Sequence, residues 1–184
     1  MTVKRISAFD TNLAKSIPIV SQLPTMSSAS FDWQGLVMEH HFLSASECPE
    51  METEQLNLSI KIGNSFVTDW RLDGKLKRCH MRCGDIAILA KGIVNSAVWY
   101  DRSEVLLLSV DSFLVDKVAD ETLNNNSLQI IPQRQIRDPQ IVNIALALKA
   151  ELESGCLAGS FYGDYLTNAL IVYLLNKYSN CCDR

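Results

Sequence analysis

Three histidines, six cysteines and three tryptophans are the side chains in this 184-residue chain best suited to chemistry or tight binding. A metal centre needs several His, Cys, Asp or Glu donors converging on one point. His40, His41 and His80 are too few for a His-rich set. Cys79-His80-x-x-Cys83 is not a closed Cys-x-x-Cys pair and has no second pair to complete it. No metal and no cofactor is expected. Neither a Gly-x-Ser-x-Gly elbow nor a plausible Ser/His/Asp ordering occurs, so no nucleophilic catalysis is signalled.

What remains is chemistry of binding. His40 and His41 are adjacent on an extended segment, which sends one ring inward and one outward. His40 shares its parity with Leu36, Met38 and Phe42. It is read either as a satisfied core histidine or as a ligand contact inside the fold. Glu39, of opposite parity, is expected at the surface or rim. Trp70 and Trp99 are large, half-polar side chains suited either to core packing or to lining a small-molecule pocket. Asn95 suits either a pocket mouth or a loop. The candidate ligand-binding set is Met38, His40, Trp70, Asn95 and Trp99.

The elements that must position these residues are short strands followed by helices. Leu56, Leu58, Ile60 and Ile62 alternate with Asn57, Ser59 and Lys61, the pattern of a strand with one buried face. Phe66–Leu72 and Lys75–Met81 flank Asp73-Gly74, a strong hairpin signal because a type I′ turn needs φ > 0 at both central residues. Strands are expected also at 36–42, 85–90, 96–99 and 105–110, and near Ile17–Val20 and Leu128–Ile131. Many short strands with turns between them predict a sandwich or barrel. Phe113, Leu114, Lys117, Val118 and Glu121 have helical spacing, and Asn124-Asn125-Asn126 reads as a loop. Asp138 is a helix N-cap with Pro139 at the first helical position. Ile141, Ile144, Ala145, Leu148 and Leu152 then form an apolar stripe that ends at Gly155. A last helix, Phe161–Tyr178, is apolar on more than one side. It is read as buried on its own barrel or shared with a second subunit, with Leu166, Leu170, Tyr173 and Leu174 as the candidate dimer interface.

Apolar residues make up 47% of the chain, enough for one ordinary core, and no run approaches the ~18 apolar residues of a membrane span. The formal charge of −4 argues against nucleic-acid binding by this segment. Lys75, Lys77, Arg78 and Arg82 are read as a solvated face. The N-terminus lacks a secretory pattern, so a cytoplasmic location with reduced thiols is expected. Cys181 and Cys182 are read as a frayed tail.

The stretch Met81–Trp99 resembles the second half of a cupin-type barrel, and specifically the sensor domain of AraC/XylS-type transcription regulators. Met81, Gly84, Asp85, Ile86, Leu89, Gly92 and Trp99 match that family's pattern. Cys83 and Ala90 stand where prolines are usual, and Asn95 where a histidine is usual. Ser30-x-x-Trp33-x-Gly35-Leu36-Val37-x-Glu39-His40, Cys48-Pro49-Glu50 and Arg137-Asp138-Pro139 resemble further family segments. The likeness covers about residues 28–178.

The resemblance implies a mainly β fold with a C-terminal α part: a cupin-like, jelly-roll type β-barrel followed by two or three helices. It implies an N-terminal arm (1–30), a barrel (31–132) and a helical dimerisation segment (133–184). Met51, Gln55 and Asn95 stand where related sequences often carry metal-binding histidines. The implied function is a non-catalytic, small-molecule-sensing and dimerisation domain of a regulator. The implied partners are a small-molecule effector and a second copy joined through the C-terminal helices. DNA would be contacted only through a helix-turn-helix domain that this chain does not contain. A stand-alone small cupin enzyme, or a solo sensor that modulates full-length regulators, is the alternative.

Overall fold

A computed structural model describes residues 4–123 and 128–180. The expected loop at Asn124–Asn126 and the tail cysteines Cys181 and Cys182 lie outside the described residues. Twelve strands, one turn of 3-10 helix (Ser28–Ser30) and three α-helices follow one another along the described chain. The strands are β1 (Ser7–Asp10), β2 (Lys15–Pro18), β3 (Met26–Ser27), β4 (Leu36–Leu43), β5 (Ser46–Glu52) and β6 (Leu56–Lys61), followed by β7 (Phe66–Leu72), β8 (Lys75–Met81), β9 (Asp85–Leu89), β10 (Val94–Trp99), β11 (Ser103–Val110) and β12 (Gln133–Arg137). The helices are α1 (Ser112–Leu123), α2 (Pro139–Glu153) and α3 (Ser160–Tyr178).

Two antiparallel six-stranded sheets result. One has the order β2-β1-β5-β10-β7-β8, the other β12-β9-β6-β11-β4-β3. Consecutive strands β7 and β8 pair through Asp73-Gly74, where φ is +47° and +74°, as a type I′ turn demands. The segment read as an N-terminal arm supplies strands to both sheets: β1 pairs with β5, and β3 with β4. The strand expected at Ile17–Val20 lies at 15–18. The one expected at Leu128–Ile131 is reduced to a single bridge from Ile130 to Ser179, and the strand forms instead at 133–137, inside the segment expected to be helical.

Side chains of β12 tie the two sheets together along one seam. Arg134 Nη2 donates to the Leu72 and Lys75 carbonyls at 2.9 and 2.7 Å, and Gln135 Nε2 donates to the His80 carbonyl at 2.9 Å. Elsewhere the N-terminal segment crosses to β4, where Arg5 Nε and the Ile6 amide donate to Glu39 Oε1 at 2.9 and 3.0 Å.

All three helices pack on the outer face of the second sheet. Leu58, Ile60, Ile86, Ile88, Leu106 and Leu108 form one core with Ile141, Leu148, Leu170 and Leu174. The opposite face of that sheet looks across to the first sheet, where Leu43, Val105 and Leu107 join Cys48, Met51 and Trp99 in a second cluster. The β6 strand therefore has both faces buried. Its polar positions face the lumen and its apolar positions face the helices.

Asp138 caps α2 as expected, accepting from the Gln140 and Ile141 amides. Its carboxylate also accepts from Tyr178 Oη at 2.7 Å, Lys177 Nζ at 2.8 Å and Tyr173 Oη at 3.0 Å, which pins α2 to α3. At the other end of α3, Gly163 lets the Trp33 indole approach so closely that an added Cβ would lie 2.5 Å from Nε1.

Candidate functional site: the barrel lumen

The lumen holds a cavity of about 150 Å³ between the two sheets. Phe66, Thr68, Trp70, Met81, Ala97 and Trp99 line it from the first sheet. Asn57, Ser59, Ala87, Leu89, Val105 and Leu107 line it from the second, together with Leu58 and Leu108 at their backs. Ile6, Ile19 and Val20 of the N-terminal segment complete the wall. Among the described residues, no Lys, Arg, His, Asp or Glu lines the cavity.

Three of the five candidate ligand-binding residues, Trp70, Asn95 and Trp99, lie on this wall. They differ in how far their polar groups are already committed. Trp99 Nε1 donates to the Ser44 carbonyl at 2.7 Å, and Asn95 Nδ2 donates to the Met51 carbonyl at 3.4 Å. Thr68 Oγ1 likewise donates to the Val98 carbonyl at 2.9 Å. Trp70 Nε1 has no partner, although the residue is only 7% exposed.

Met38 and His40 face away from the lumen, against expectation. Met38 packs in the helix-side core. His40 stands on that same outer face, with Nδ1 3.1 Å from Thr25 Oγ1 and Nε2 2.9 Å from Glu104 Oε1. Glu39 and His41 are among the inward-facing residues of β4, with Val37 and Leu43, so the expectation of a surface or rim position for Glu39 is also reversed. Glu39 and His41 are fully buried, with His41 Nε2 2.8 Å from Glu39 Oε2. Burial pushes the Glu39 carboxyl up, and the hydrogen bonds from His41, the Ile6 amide and Arg5 outweigh it, leaving it below its ordinary range. The reversal has a simple origin. Alternation gives two parities, and the helices, not water, cover the apolar one.

The same reversal hid Asn57, which reads as a solvent-facing position of β6. It is 7% exposed, lies on the cavity wall, and neither Oδ1 nor Nδ2 has a partner. Lys61, two turns of the pleat further along β6, is buried as well. Its Nζ donates to the Glu104 carbonyl at 3.0 Å and lies 5.6 Å from the Phe66 ring centroid. Burial holds its ammonium below the ordinary range despite the nearby Glu104.

The candidate dimer residues are also redistributed. Leu170 and Leu174 are wholly buried in the chain's own core, and only Leu166 and Tyr173 are half-buried. The large apolar side chains that α3 exposes are Phe161, Tyr162 and Tyr165, with Leu157 just before it. The rings of Phe161 and Tyr165 stack at 6.5 Å.

Cys79 and His80 fall on opposite faces of β8, Cys79 buried and His80 exposed, and Cys83 is exposed in the following turn. Among the described residues no three His, Cys, Asp or Glu side chains gather as a metal site. The residues that face the lumen do not fit the clustered histidines and carboxylate of a metal cupin. Among the described residues no helix is long and apolar enough to cross a membrane.

No protein-family model and no curated protein matches the chain. Solved structures do. A hydroquinone 1,2-dioxygenase from Sphingomonas sp. TTNP3, in complex with 4-nitrophenol, is 20% identical over 55% of this chain and 32% of its own, with a TM-score of 0.41. A cupin superfamily protein from Desulfitobacterium hafniense is 10% identical over 43% of this chain and 70% of its own, with a TM-score of 0.37. A cupin-2 domain protein from Shewanella frigidimarina is 11% identical over 50% and 84%, with a TM-score of 0.38. The chain spans only a quarter to a third of the hydroquinone dioxygenases it matches, 25% and 32%. The fold itself is two facing six-stranded antiparallel sheets followed by helices that pack on one of them.

Proposed function

We propose that this chain is the small-molecule-sensing and dimerisation domain of an AraC-type transcription regulator, and that it is not catalytic. The observation that carries the reading is the lumen: an apolar cavity of about 150 Å³ between the two sheets, lined by aromatic and aliphatic side chains and large enough for a benzene-sized molecule. The shared sheet gives such a ligand a route outward, since Asn57 and Ser59 alternate with Leu58 and Ile60, which carry the helices. The effector acts by binding two arrangements of barrel and helices with different affinity. Dimerisation runs through the exposed aromatic side of α3, and DNA is contacted by a domain beyond this chain, in a reducing cytoplasm.

The test is a thermal-shift screen of small metabolites on the 184-residue chain, followed by hydrogen exchange with the best compound. Saturating ligand at 100 times Kd adds about 2.7 kcal/mol of stability. Protection is expected in β6 and β11 and also in α2 and α3. Protection confined to the lumen strands would make the protein a binder without a sensor's output, and no stabilising compound would remove the reading. Sedimentation of wild type and Tyr165→Glu tests the dimer, which is expected to dissociate in the variant.

A further inference from the structure

We infer that Ser59 is the polar anchor of the lumen, and that the molecule it holds is an uncharged single ring carrying one polar atom, a hydroxyl in the simplest case. The inference rests on the lumen being a ligand site. The cavity is about 150 Å³, and an apolar cavity of about that volume holds a benzene-sized molecule. A ring of that size leaves little space for a larger substituent.

Every residue of β6 except Ser59 is buried. Ser59 stands on the lumen face, between Leu107 of β11 and Ala87 of β9, and all three line the cavity. Helices cover the opposite face of the sheet. The surface that Ser59 keeps therefore opens into the lumen. Its hydroxyl makes no hydrogen bond among the described residues. The other polar groups of the wall are spent or shut away. Thr68 Oγ1, Trp99 Nε1 and Asn95 Nδ2 each donate to a backbone carbonyl. The side-chain polar atoms of Asn57 and Trp70 present no surface to the cavity.

A free hydroxyl has one proton to give and lone pairs with which to accept. It completes a single polar atom on the ligand, whether a hydroxyl or a carbonyl oxygen. A carboxamide brings two polar atoms and leaves one unpaired among aromatic and aliphatic side chains. A carboxylate would also carry a charge to a wall that holds no cation among the described residues. Lys61, two positions along β6, does not line the cavity and donates to the Glu104 carbonyl.

The experiment is calorimetric titration of the full chain at pH 7 with phenol, toluene, benzamide and sodium benzoate. Phenol is expected to bind most tightly of the four. In Ser59→Ala phenol should weaken about tenfold, the worth of one hydrogen bond, while toluene changes by less than about twofold. Ala97→Leu, which fills the lumen from the opposite wall, should weaken phenol and toluene by at least about tenfold each. Unchanged phenol binding in Ser59→Ala overturns the anchor and leaves the lumen reading standing. A loss of phenol binding in Asn95→Ala alone does the same and moves the contact to Asn95 Oδ1. Tighter wild-type binding of any other compound than phenol overturns the ligand class. If none of the four binds, or if binding survives Ala97→Leu, the lumen reading falls and this inference falls with it.

Discussion

Glu39 Oε2 lies 2.8 Å from His41 Nε2, two residues along β4 and on its inner face, with both side chains out of contact with water. Because the carboxylate can only accept, Nε2 carries the proton in this pair. The other carboxylate oxygen receives Arg5 Nε and the Ile6 amide, so a single buried anion joins the N-terminal segment to the barrel wall.

Glu39→Gln keeps the shape and removes the charge. The substitution is expected to cost about 2–4 kcal/mol, since breaking a buried, hydrogen-bonded ion pair leaves its partners uncompensated. Urea denaturation measures the loss. Limited proteolysis should then cut first near residues 4–20. A change under about 0.5 kcal/mol would contradict the anchoring role.

Acid stability follows from Asp138. Burial pushes its carboxyl up, but Lys177, Tyr178, Tyr173 and the Gln140 amide together pull it down to about 2. A carboxyl with a depressed folded value contributes stability that is present above its unfolded value of 3.8 and is lost as pH falls toward 2. Glu39, lowered from 4.5, adds to the same trend with the same sign. Thermal melts between pH 5 and pH 2 are expected to fall steadily in wild type. The fall should be shallower in Asp138→Asn, which starts less stable by about 1–3 kcal/mol. Parallel curves for the two proteins would contradict the assignment.

Gly163→Ala sets a methyl group against the Trp33 ring. Overpacking of this kind costs about 1–3 kcal/mol. Trp33→Phe should recover part of that loss in the double variant, because the smaller ring vacates the contact. Additive losses would mean that the two residues are not coupled.

Thiol reactivity should separate by site. Burial, with a smaller contribution from Asp10, pushes the Cys48 thiol up to about 12, and Cys79 is also buried. Cys83 is exposed. Iodoacetamide at pH 8 followed by peptide mass mapping is expected to label Cys83 well before Cys48 or Cys79. Early labelling of Cys48 would mean that the barrel opens on the timescale of the reaction.

Much of this architecture is legible in the residues themselves. Asp73-Gly74 specifies its hairpin and Asp138-Pro139 its helix start, because each rests on a backbone requirement a few residues long. Trp70, Asn95 and Trp99 fall on the cavity wall, one of the two places that their residue types left open for each. The facing of β4 and β6 was not legible. Periodicity tells which residues share a face, but whether the apolar face meets a lumen or a layer of helices depends on contacts about a hundred positions away, such as Leu58 with Leu170 in one core. Asn57 was missed for that reason, and Met38 and His40 were placed on the wrong side.

The alternation of the shared sheet divides two duties between odd and even positions. Asn57, Ser59, Ala87, Val105 and Leu107 shape the lumen, while Ile60, Ile86, Ile88 and Leu106 seat the helices. In a lineage of such proteins, drift at the odd positions would reshape the cavity while the even positions keep the helices seated. One scaffold can thus carry differently shaped interiors behind an unchanged helical layer.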